Sequence, residues 1–543
     1  MNSSASPYRS SKIYATMGSM LALCLLGCAT TGLPSASNPG FATQNLAGQQ
    51  TTVSTRYQNW LTKHPWLDPS PRPSPTPFPS IWPTPAPGTS PTPTPAPVYS
   101  PTPAPVYSPT PAPAGGIQPT SGMQVFPLPA VPSTPYSLYV STSGSDSNSG
   151  ASPSSPLRNI ATAASRAKPG TTIFISPGTY YEHLTLHNGG TAGAPIIFEG
   201  YGGVPVIDGS QIGNTDTSWG TDHVNYGIVE MWAPYITLYN LKIANSANSG
   251  VVYLANNETI QNCEITNMQN DGITNAYYLN TASGNQPVQN ISVINDYVHD
   301  GVYTANGQGI SVGAKNFLVQ GNTVENINQI GIDLWMGGSN GQVVGNTVDH
   351  NAQVGIYVDG VNYLQIHHNW VHDNRHGITV SSEDTHYTTQ HVWVYDNVIF
   401  NQTQGDGMSI WDPGPAPNTG AQDVLFANNT LYNNQITLYF AGYGNTAQVI
   451  NNLGYTTGTT QLDQSTGSSY SISNNVWLTS VTGFVDAAAD DFQLLSGSPA
   501  IDKGLAIPPF VDASGNQYPV TTDFAGNPRV VGSAPDAGAY EYQ

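Results

Sequence analysis

The stretch FLVQGNTVENINQIGIDLW (residues 317–335) is followed by two stretches of the same design, VVGNTVDHNAQVGIYVD (343–359) and LQIHHNWVHDNRHGITVS (364–381). In each, an asparagine stands three residues after an apolar residue, and a glycine–isoleucine pair follows. The asparagine position recurs at steps of 33, 26, 24, 23, 28 and 32 residues, as Cys263, Asp296, Asn322, Asn346, Asn369, Asn397 and Asn429. A unit of about 23 residues is too short for a propeller blade and lacks helical periodicity. It predicts one coil of a parallel β-solenoid.

The alternation within each repeat predicts which side chains face the interior. Successive side chains along a strand point to opposite sides, so isoleucine and valine fill the cylinder and polar residues point outward. Asparagines stacked at one turn can hydrogen-bond between successive coils, which offsets the cost of burying their amides. Cys263 occupies the same inward position, where we expect a small buried apolar residue.

The two ends of the repeat region carry further motifs, YVSTSGSDSNSGASPSSPLRNIATAASRAKPGTTIFISPGTYYEHLTL (139–186) and FQLLSGSPAIDKG (492–504) with TDFAGNPRVVGSAPDAGAYEY (522–542). These segments resemble right-handed parallel β-helix proteins of the pectate-lyase-like superfamily. The resemblance covers about residues 136–543. It implies an all-β, single-stranded right-handed parallel β-helix (β-solenoid) over residues 135–488, with a capping helix over residues 157–167 and a C-terminal capping segment over residues 489–543. The same scaffold carries lyases, hydrolases, epimerases and adhesins, so the fold leaves the substrate open.

The N-terminal residues indicate export. Arg9 and Lys12 precede an apolar run, residues 13–27, that is too short to span a membrane comfortably and predicts a signal peptide over residues 1–28. LLGC (25–28) resembles a bacterial lipobox, which implies that Cys28 is lipidated and that the protein is extracellular, at the cell surface and lipid-anchored to the bacterial membrane. An ordinary secretory signal is the alternative. Residues 29–134 are rich in Pro, Thr and Ser and predict a disordered tether in extended polyproline II conformation.

Charge excludes some partners. From residue 135 onward the chain has 32 Asp and Glu against 8 Lys and Arg, a formal charge of −24. Such a domain repels phosphate backbones and anionic lipids, so we expect no nucleic acid partner and no membrane contact except through the anchor. Two of the three cysteines precede residue 29, which leaves the folded region without an internal disulfide. We expect a monomer.

Acidic and aromatic residues share one outward face of the repeats. The second residue after the glycine is Asp333 in one coil and Tyr357 in the next, and the fourth is Trp335, Asp359 and, two coils later, Trp411. Both positions should face outward because the residues between them are apolar. The three aromatic side chains would form a platform on which pyranose rings can stack.

Three carboxylates are the candidate catalytic groups, namely Asp359, Glu383 and Asp333. Coils lie about 4.8 Å apart and alternate residues of a strand about 6.7 Å apart, so Asp333 and Asp359 should lie about 8 Å apart on a diagonal. That separation is compatible with an inverting pair of carboxylates. Asp359 with Glu383 is the favoured pair, and Asp333 is the substitute partner. Further candidate substrate contacts are Asp384, Asp412, Arg375 and His376.

The segment GIYVDG (355–360) resembles the strand that carries the nucleophilic aspartate in family-120 glycoside hydrolases, which are β-helix enzymes acting on xylo-oligosaccharides. The resemblance implies that Asp359 is the nucleophile. The position of that family's acid/base glutamate is Ser381 here, with Glu383 two residues later, so the sequence departs from the retaining pattern. A structural role for Asp359 is the alternative, because aspartate is common at solenoid turns, where it bonds to nearby backbone.

These features favour an extracellular glycoside hydrolase that cleaves a neutral or weakly charged polysaccharide and requires no cofactor. A polysaccharide lyase or epimerase acting on a polyuronate is one alternative. It would need a basic residue and cations such as Ca²⁺ held by aspartates, and only Lys242, Lys315 and Arg375 are basic between residues 241 and 480. A non-catalytic glycan-binding or structural surface protein is the other alternative. The histidine-rich segment 367–377 matches no closed set of metal ligands, so no metal site is predicted there.

Overall fold

The computed structural model describes residues 136–212, 227–275, 287–301, 307–335, 337–383, 387–402, 404–411, 420–455, 459–462 and 467–543. The predicted signal peptide, the lipidation site at Cys28 and the tether lie outside the described residues, as do Asp384 and Asp412. Within the described residues, no helix is both long and apolar enough to cross a membrane.

Successive strands belong in turn to three parallel sheets, so that each turn of the chain adds one strand to each sheet. This arrangement is the parallel β-solenoid that the repeats predicted, in the right-handed form that the resemblance implied. Sheet I consists of β1 (Tyr136–Val140), β2 (Thr171–Ile175), β5 (Ile196–Gly200), β8 (Ile236–Tyr239), β11 (Glu258–Gln261), β14 (Gln289–Ile294), β17 (Lys315–Gln320), β20 (Ser339–Val344), β23 (Asn362–His367), β26 (Gln390–Tyr395), β29 (Gln422–Ala427), β32 (Thr446–Ile450) and β35 (Ser469–Ser473).

Sheet II consists of β3 (Thr179–Tyr180), β6 (Val206–Asp208), β9 (Lys242–Ala244), β12 (Glu264–Thr266), β15 (Tyr297–Gly301), β18 (Thr323–Ile327), β21 (Thr347–Asp349), β24 (Trp370–His372), β27 (Val398–Phe400), β30 (Thr430–Tyr432), β33 (Leu453–Tyr455) and β36 (Val476–Leu478). Sheet III consists of β4 (Leu184–Leu186), β7 (Gly227–Met231), β10 (Ser249–Tyr253), β13 (Ile273–Asn275), β16 (Gln308–Val312), β19 (Ile330–Trp335), β22 (Val354–Asp359), β25 (His376–Ser381), β28 (Asp406–Trp411), β31 (Ile436–Phe440) and β34 (Thr459–Leu462).

The remaining elements lie near the two ends of the described chain. They are helix α1 (Ile160–Arg166), three short 3₁₀ turns (Gly209–Gln211, Val481–Gly483 and Ala487–Ala489) and two hairpins formed by β37 (Phe484–Asp486) with β38 (Asp491–Leu494) and by β39 (Phe510–Val511) with β40 (Gln517–Tyr518). Helix α1 lies within the range predicted for the capping helix and is shorter at both ends. It starts at Ile160, where the Glu182 carboxylate accepts hydrogen bonds from the backbone N–H groups of Ile160 and Ala161, each at 2.8 Å. These bonds satisfy two of the donors that a helix start leaves unpaired.

The core is a column of aliphatic side chains inside the cylinder. Residues in register across sheet III, such as Ile332, Ile356 and Ile378, are fully buried, and so are Leu334 and Val358 two positions further along their strands. The alternation predicted for these strands is therefore confirmed. Each coil stacks on the last, so burial of the apolar column and the hydrogen bonds between strands grow together with the number of coils.

The predicted asparagine ladder is present and buried. The Asn346 Nδ2 group donates to the Asn369 Oδ1 atom of the next coil at 2.9 Å and to the Val319 carbonyl of the preceding coil at 3.0 Å. The backbone N–H of Asn346 also donates to the Asn369 Oδ1 atom, at 3.0 Å. Cys263 stands at the ladder position of its coil and is 2% exposed, as expected. The ladder stabilises the turn between sheets I and II by satisfying backbone groups that the apolar core cannot pair.

Asparagines also occupy a second, partly buried corner of the coils. Asn257, Asn290, Asn316 and Asn340 occupy equivalent corners of successive coils with φ between 52° and 64°. Asparagine tolerates this left-handed conformation better than most residues, because its short side chain can hydrogen-bond locally. The amides also stack, and Asn290 donates to the Asn257 Oδ1 atom at 2.8 Å.

The C-terminal segment covers the outside of sheets I and II. Phe484 and Phe492 pack with the outward side chains of Val398 and Phe400, and Phe510 packs with Trp393 on sheet I. A strand with one face in water alternates apolar and polar residues. Strands β26 and β27 are apolar on both faces, so their outward side chains must be covered by another part of the chain. The segment predicted as a terminal cap therefore lies along the side of the β-helix. The boundary predicted between residues 488 and 489 falls inside the 3₁₀ turn of the first hairpin.

Candidate functional site

The outer face of sheet III brings the predicted acidic and aromatic residues together. In the parallel register, Asp333 stands beside Tyr357 and Trp335 beside Asp359. Acid and aromatic side chains thus alternate in a two-by-two pattern, with Asp333 and Asp359 on one diagonal. Asp359 in turn stands beside Ser381 of the next strand. The alternation that buries Ile332 and Leu334 turns these side chains to the outside of the cylinder.

Asp333 is the most buried acid of this group, with 7% of its surface exposed. Burial raises its pKa well above the usual range, and the negative charges of Asp359, Asp271 and Glu383 raise that pKa further. Asp359, Asp271 and Glu383 are therefore close enough to Asp333 to act on its carboxyl group. A carboxyl in such surroundings holds its proton at a pH where an ordinary aspartate has lost it.

The carboxyl group of Glu383 lies over Tyr357 and Ser381. The Tyr357 hydroxyl donates a hydrogen bond to the Glu383 Oε1 atom, and the Ser381 hydroxyl donates to the same atom at 3.3 Å. The backbone N–H of Glu383 donates to the Asp359 Oδ1 atom at 2.7 Å. Ser381 stands at the position where the family-120 hydrolases have an acid, and its one hydroxyl proton is shared between the Glu383 carboxylate at 3.3 Å and the Trp411 carbonyl oxygen at 2.5 Å.

Asp271 was missed by the sequence reasoning. It precedes β13, two strands before β19 in sheet III, and its Oδ1 atom accepts a hydrogen bond from the Gln308 backbone N–H at 2.9 Å. Burial raises the pKa of Asp271 to about 7. A signal existed, because Asp271 directly precedes the Gly272-Ile273 landmark. The sequence did not reveal that Asp271 lies near Asp333, because the number of residues between successive coils varies in this region.

Two tryptophans bracket the carboxylates along the β-helix axis. Trp335 stands beside Asp359, and Trp411 stands beside Ser381, so the two indoles lie three strands apart with Asp359 and Ser381 between them. Both indoles are half-buried. At about 4.8 Å per strand, their positions are separated by about 14 Å. Tyr357 was predicted as a third member of the aromatic platform, and its hydroxyl is engaged by Glu383.

Arg375 and His376 lie at the other end of the same sheet. His376 begins β25, five residues before Ser381, which places it about 16 Å from the row of Asp359 along an extended strand. It is buried, and its Nδ1 atom lies 2.9 Å from the Asp406 Oδ2 atom. The structure therefore does not bring these two residues together with the carboxylates.

The other basic and histidine residues of this region are spread around the coil. Lys242 pairs with Glu264 on sheet II at 2.6 Å, and Lys315 begins β17 at the corner that follows sheet III. His367 and His368 lie at the end of sheet I under the C-terminal segment, where the His368 Nε2 atom lies 2.9 Å from the Asp523 carbonyl oxygen. In the part of the chain that the structure describes, no three His, Cys, Asp or Glu side chains are grouped as metal ligands.

The fold and this surface can be compared with known proteins. The family model described as "Pel9A-like, right handed beta helix region" matches residues 138–314. The chain is a right-handed parallel β-helix protein that is similar, over these residues, to the Pel9A-like proteins. Over 349 residues, 57% of this chain and 73% of the relative, it is 29% identical to the uncharacterized protein YwoF of Bacillus subtilis (strain 168). Over 212 residues, 36% of this chain and 49% of the relative, it is 28% identical to pectate lyase PEL9 of Emericella nidulans.

Among solved structures, the crystal structure of pectate lyase Pel9A aligns with 76% of this chain and 97% of its own, at 18% identity and a TM-score of 0.47. The family match ends at residue 314, before the strands that carry Asp333, Asp359 and Glu383.

Proposed function

We propose that this protein is an extracellular, carbohydrate-active enzyme, and that it hydrolyses glycosidic bonds of a neutral or weakly charged polysaccharide. The observation that carries the proposal is the group of Asp333, Asp359 and Glu383 beside Trp335 on one face of the β-helix, with Trp411 two strands beyond Asp359. Carboxyl groups in different protonation states beside aromatic walls are what glycosidic bond cleavage requires.

The contacts of each carboxyl group suggest its role. Asp333 is buried among negative charges that raise its pKa, so it is the candidate general acid that protonates the glycosidic oxygen. Asp359 accepts a backbone hydrogen bond and is the candidate base that activates water. Their diagonal separation of about 8 Å leaves room for that water, as in inverting enzymes. Glu383, the partner favoured from the sequence, would orient and polarise this site while Tyr357 and Ser381 hold its carboxylate.

The same proposal assigns the protein a place outside the cell. The LLGC motif (25–28) supports a lipid anchor at Cys28, and the proline-rich residues 29–134 support a tether that holds a monomeric β-helix away from the bacterial surface. A polysaccharide too large to enter the cell would be within reach of such an arrangement.

Polyuronate lyase activity is the second candidate, because the family match and the PEL9 relative favour it. Its base would be Lys315, which borders sheet III at the start of β17. The calcium that such enzymes use fits poorly with the described acids. Hydrogen bonds from Tyr357, Ser381 and the Glu383 backbone occupy oxygens of Glu383 and Asp359, and burial keeps Asp333 protonated. We therefore derive no step through a metal ion.

A single assay distinguishes these functions. Residues 135–543 are incubated with a panel of neutral polysaccharides and polyuronates, and reducing ends and unsaturated products are measured together. Hydrolysis predicts new reducing ends without unsaturation, and loss of activity in Asp359→Asn and Asp333→Asn. Asp423→Asn, which changes an exposed aspartate on sheet I, is the matched control and should retain activity.

Unsaturated products that are absent with Lys315→Ala would identify the protein as a lyase. Polysaccharide binding by the wild type without any product would instead identify a glycan-binding protein and remove the catalytic roles given to the carboxylates.

A further inference from the structure

Residues 387–389, here called the Tyr387 segment, and Glu383 are both tied to the coil before them. The Glu383 backbone N–H donates to the Asp359 Oδ1 atom at 2.7 Å, and the Thr389 Oγ1 atom accepts from the Gly360 backbone N–H at 2.7 Å. The Thr389 backbone N–H also donates to the Ser382 Oγ atom at 3.2 Å. These bonds hold Glu383 and Thr389 beside the Asp359-Gly360 pair.

Tyr387 belongs to this segment and contacts Gly337, which lies two coils earlier. A Cβ atom placed on Gly337 would come within 2.7 Å of the Tyr387 ring, and the φ of Gly337 is +79°, a conformation that residues other than glycine rarely adopt. The Gly337 backbone N–H also donates to the Gly360 carbonyl at 2.8 Å. The coil between those of Tyr387 and Gly337 is the one that carries Asp359 and Gly360.

This contact places an aromatic ring at the edge of the carboxylate surface. Gly337 follows Trp335 by two residues, and Trp335 stands beside Asp359. Tyr387 keeps part of its surface exposed. A ring held in this position presents a flat apolar surface with a polar edge, which suits a sugar ring.

We propose that Tyr387 is a substrate-positioning residue that forms the wall of the sugar site beside Asp359 and Trp335, and that Gly337 sets its place. This inference rests on the proposed carbohydrate activity. The chemical class of ligand is a pyranose unit of the polysaccharide next to the bond that is cleaved. A purely structural role, in which Tyr387 only holds its own segment in place, is the competing explanation.

The test combines two substitutions that act on the same contact. We expect Tyr387→Ala to raise KM for the polysaccharide about tenfold with little change in kcat, because the lost contact is made equally in the ground state and the transition state. Tyr387→Phe should restore the wild-type KM, since the ring face carries the interaction. Gly337→Ala should raise KM similarly by displacing the ring, and the double variant should be no worse than Tyr387→Ala alone. Tyr443→Ala, which removes an exposed tyrosine elsewhere, is the matched control.

Circular dichroism confirms that each variant is folded, and Gly337→Ala serves as the second variant if Tyr387→Ala does not fold. A wild-type KM in Tyr387→Ala, or fully additive effects of the two substitutions, would overturn the inference while leaving the proposed activity intact. If the wild type cleaves no glycan, affinity electrophoresis in gels containing the same polysaccharides replaces kinetics. Equal retardation of wild type and Tyr387→Ala then overturns the inference, and no retardation of the wild type overturns the proposed function together with it.

Discussion

Asp296 interrupts the buried asparagine ladder, and replacing it with asparagine should stabilise the protein. Asp296 is 1% exposed, and its Oδ1 atom accepts the Cys263 backbone N–H at 2.7 Å, as an asparagine would. Its Oδ2 atom stands where the other members have an amide nitrogen, and it is buried without a hydrogen-bond partner. Burial raises the pKa of Asp296 well above its ordinary value.

The hydrogen bonds of the neighbouring ladder asparagines indicate how much stability Asp296→Asn should add. The Asn322 Nδ2 group donates to the Asn346 Oδ1 atom at 2.9 Å and to the Val293 carbonyl at 3.0 Å, so Asp296→Asn should gain two equivalent bonds. At about 1 kcal/mol for each buried hydrogen bond, the free energy of unfolding should increase by about 2 kcal/mol at neutral pH. The pKa of Asp296 is raised in the folded state. The stability that its protonated carboxyl contributes is therefore fully present below the pKa of the unfolded chain, and it is lost as pH rises through the pKa of the folded state. The advantage of the variant should therefore grow from pH 4 to pH 8.

Urea unfolding of residues 135–543, followed by tryptophan fluorescence at pH 4 and pH 8, measures this difference. The reverse change, Asn369→Asp, is the control. It removes a donor that bonds the Val343 carbonyl and the Asn397 Oδ1 atom, and it should destabilise the protein most at pH 8. A variant Asp296→Asn that is no more stable than wild type at pH 8 would refute this account of the ladder.

Three further predictions concern the site and the C-terminal segment. Asp333 has a raised pKa and is the proposed acid, so the rate of hydrolysis should decline as pH rises through that pKa. Asp333→Asn should abolish this pH dependence along with most of the activity. A pH–rate profile of both proteins measures the difference. Dialysis against EDTA should leave hydrolysis unchanged, and restoration of lost activity by added Ca²⁺ would favour the lyase alternative. Arg529→Leu should cost about 3–5 kcal/mol of stability in urea unfolding, because the Arg529 Nη2 group lies 2.8 Å from the buried Asp396 carboxylate and its loss leaves that group unpaired; Lys503→Leu, at an exposed lysine, should have little effect.

The fold was predictable because its signals are local and repeated. The asparagine position and the glycine–isoleucine landmark recur in most coils, so each coil repeats the evidence of the last, and the register follows from aligning them. The C-terminal segment was harder to predict. Its contacts with Trp393 and Phe400 join residues 84 to 117 positions apart, and only the loss of alternation in β26 and β27 indicated that something covers them.

The candidate site was predictable in part. Asp333, Asp359, Trp335 and Tyr357 lie on regular strands, where period-two alternation and coil spacing determine their arrangement. Glu383 and Tyr387 lie beyond the end of a regular strand, where no periodic pattern encodes the contacts that they make. The coupling of Asp271 to Asp333 spans inserted loops and was missed for the same reason.

The sequence by itself determined the coil, the inward aliphatic column, the asparagine ladder and the outward face that collects acids and aromatics, because each depends on a short-range period that is repeated many times. Only the tertiary structure decided that Tyr357 and Ser381 hold Glu383, that Tyr387 rests on Gly337, that Asp333 is buried among like charges, and that the last residues cover the side of the β-helix. Each of these depends on which distant segments meet, and that is settled by packing and desolvation in the folded chain.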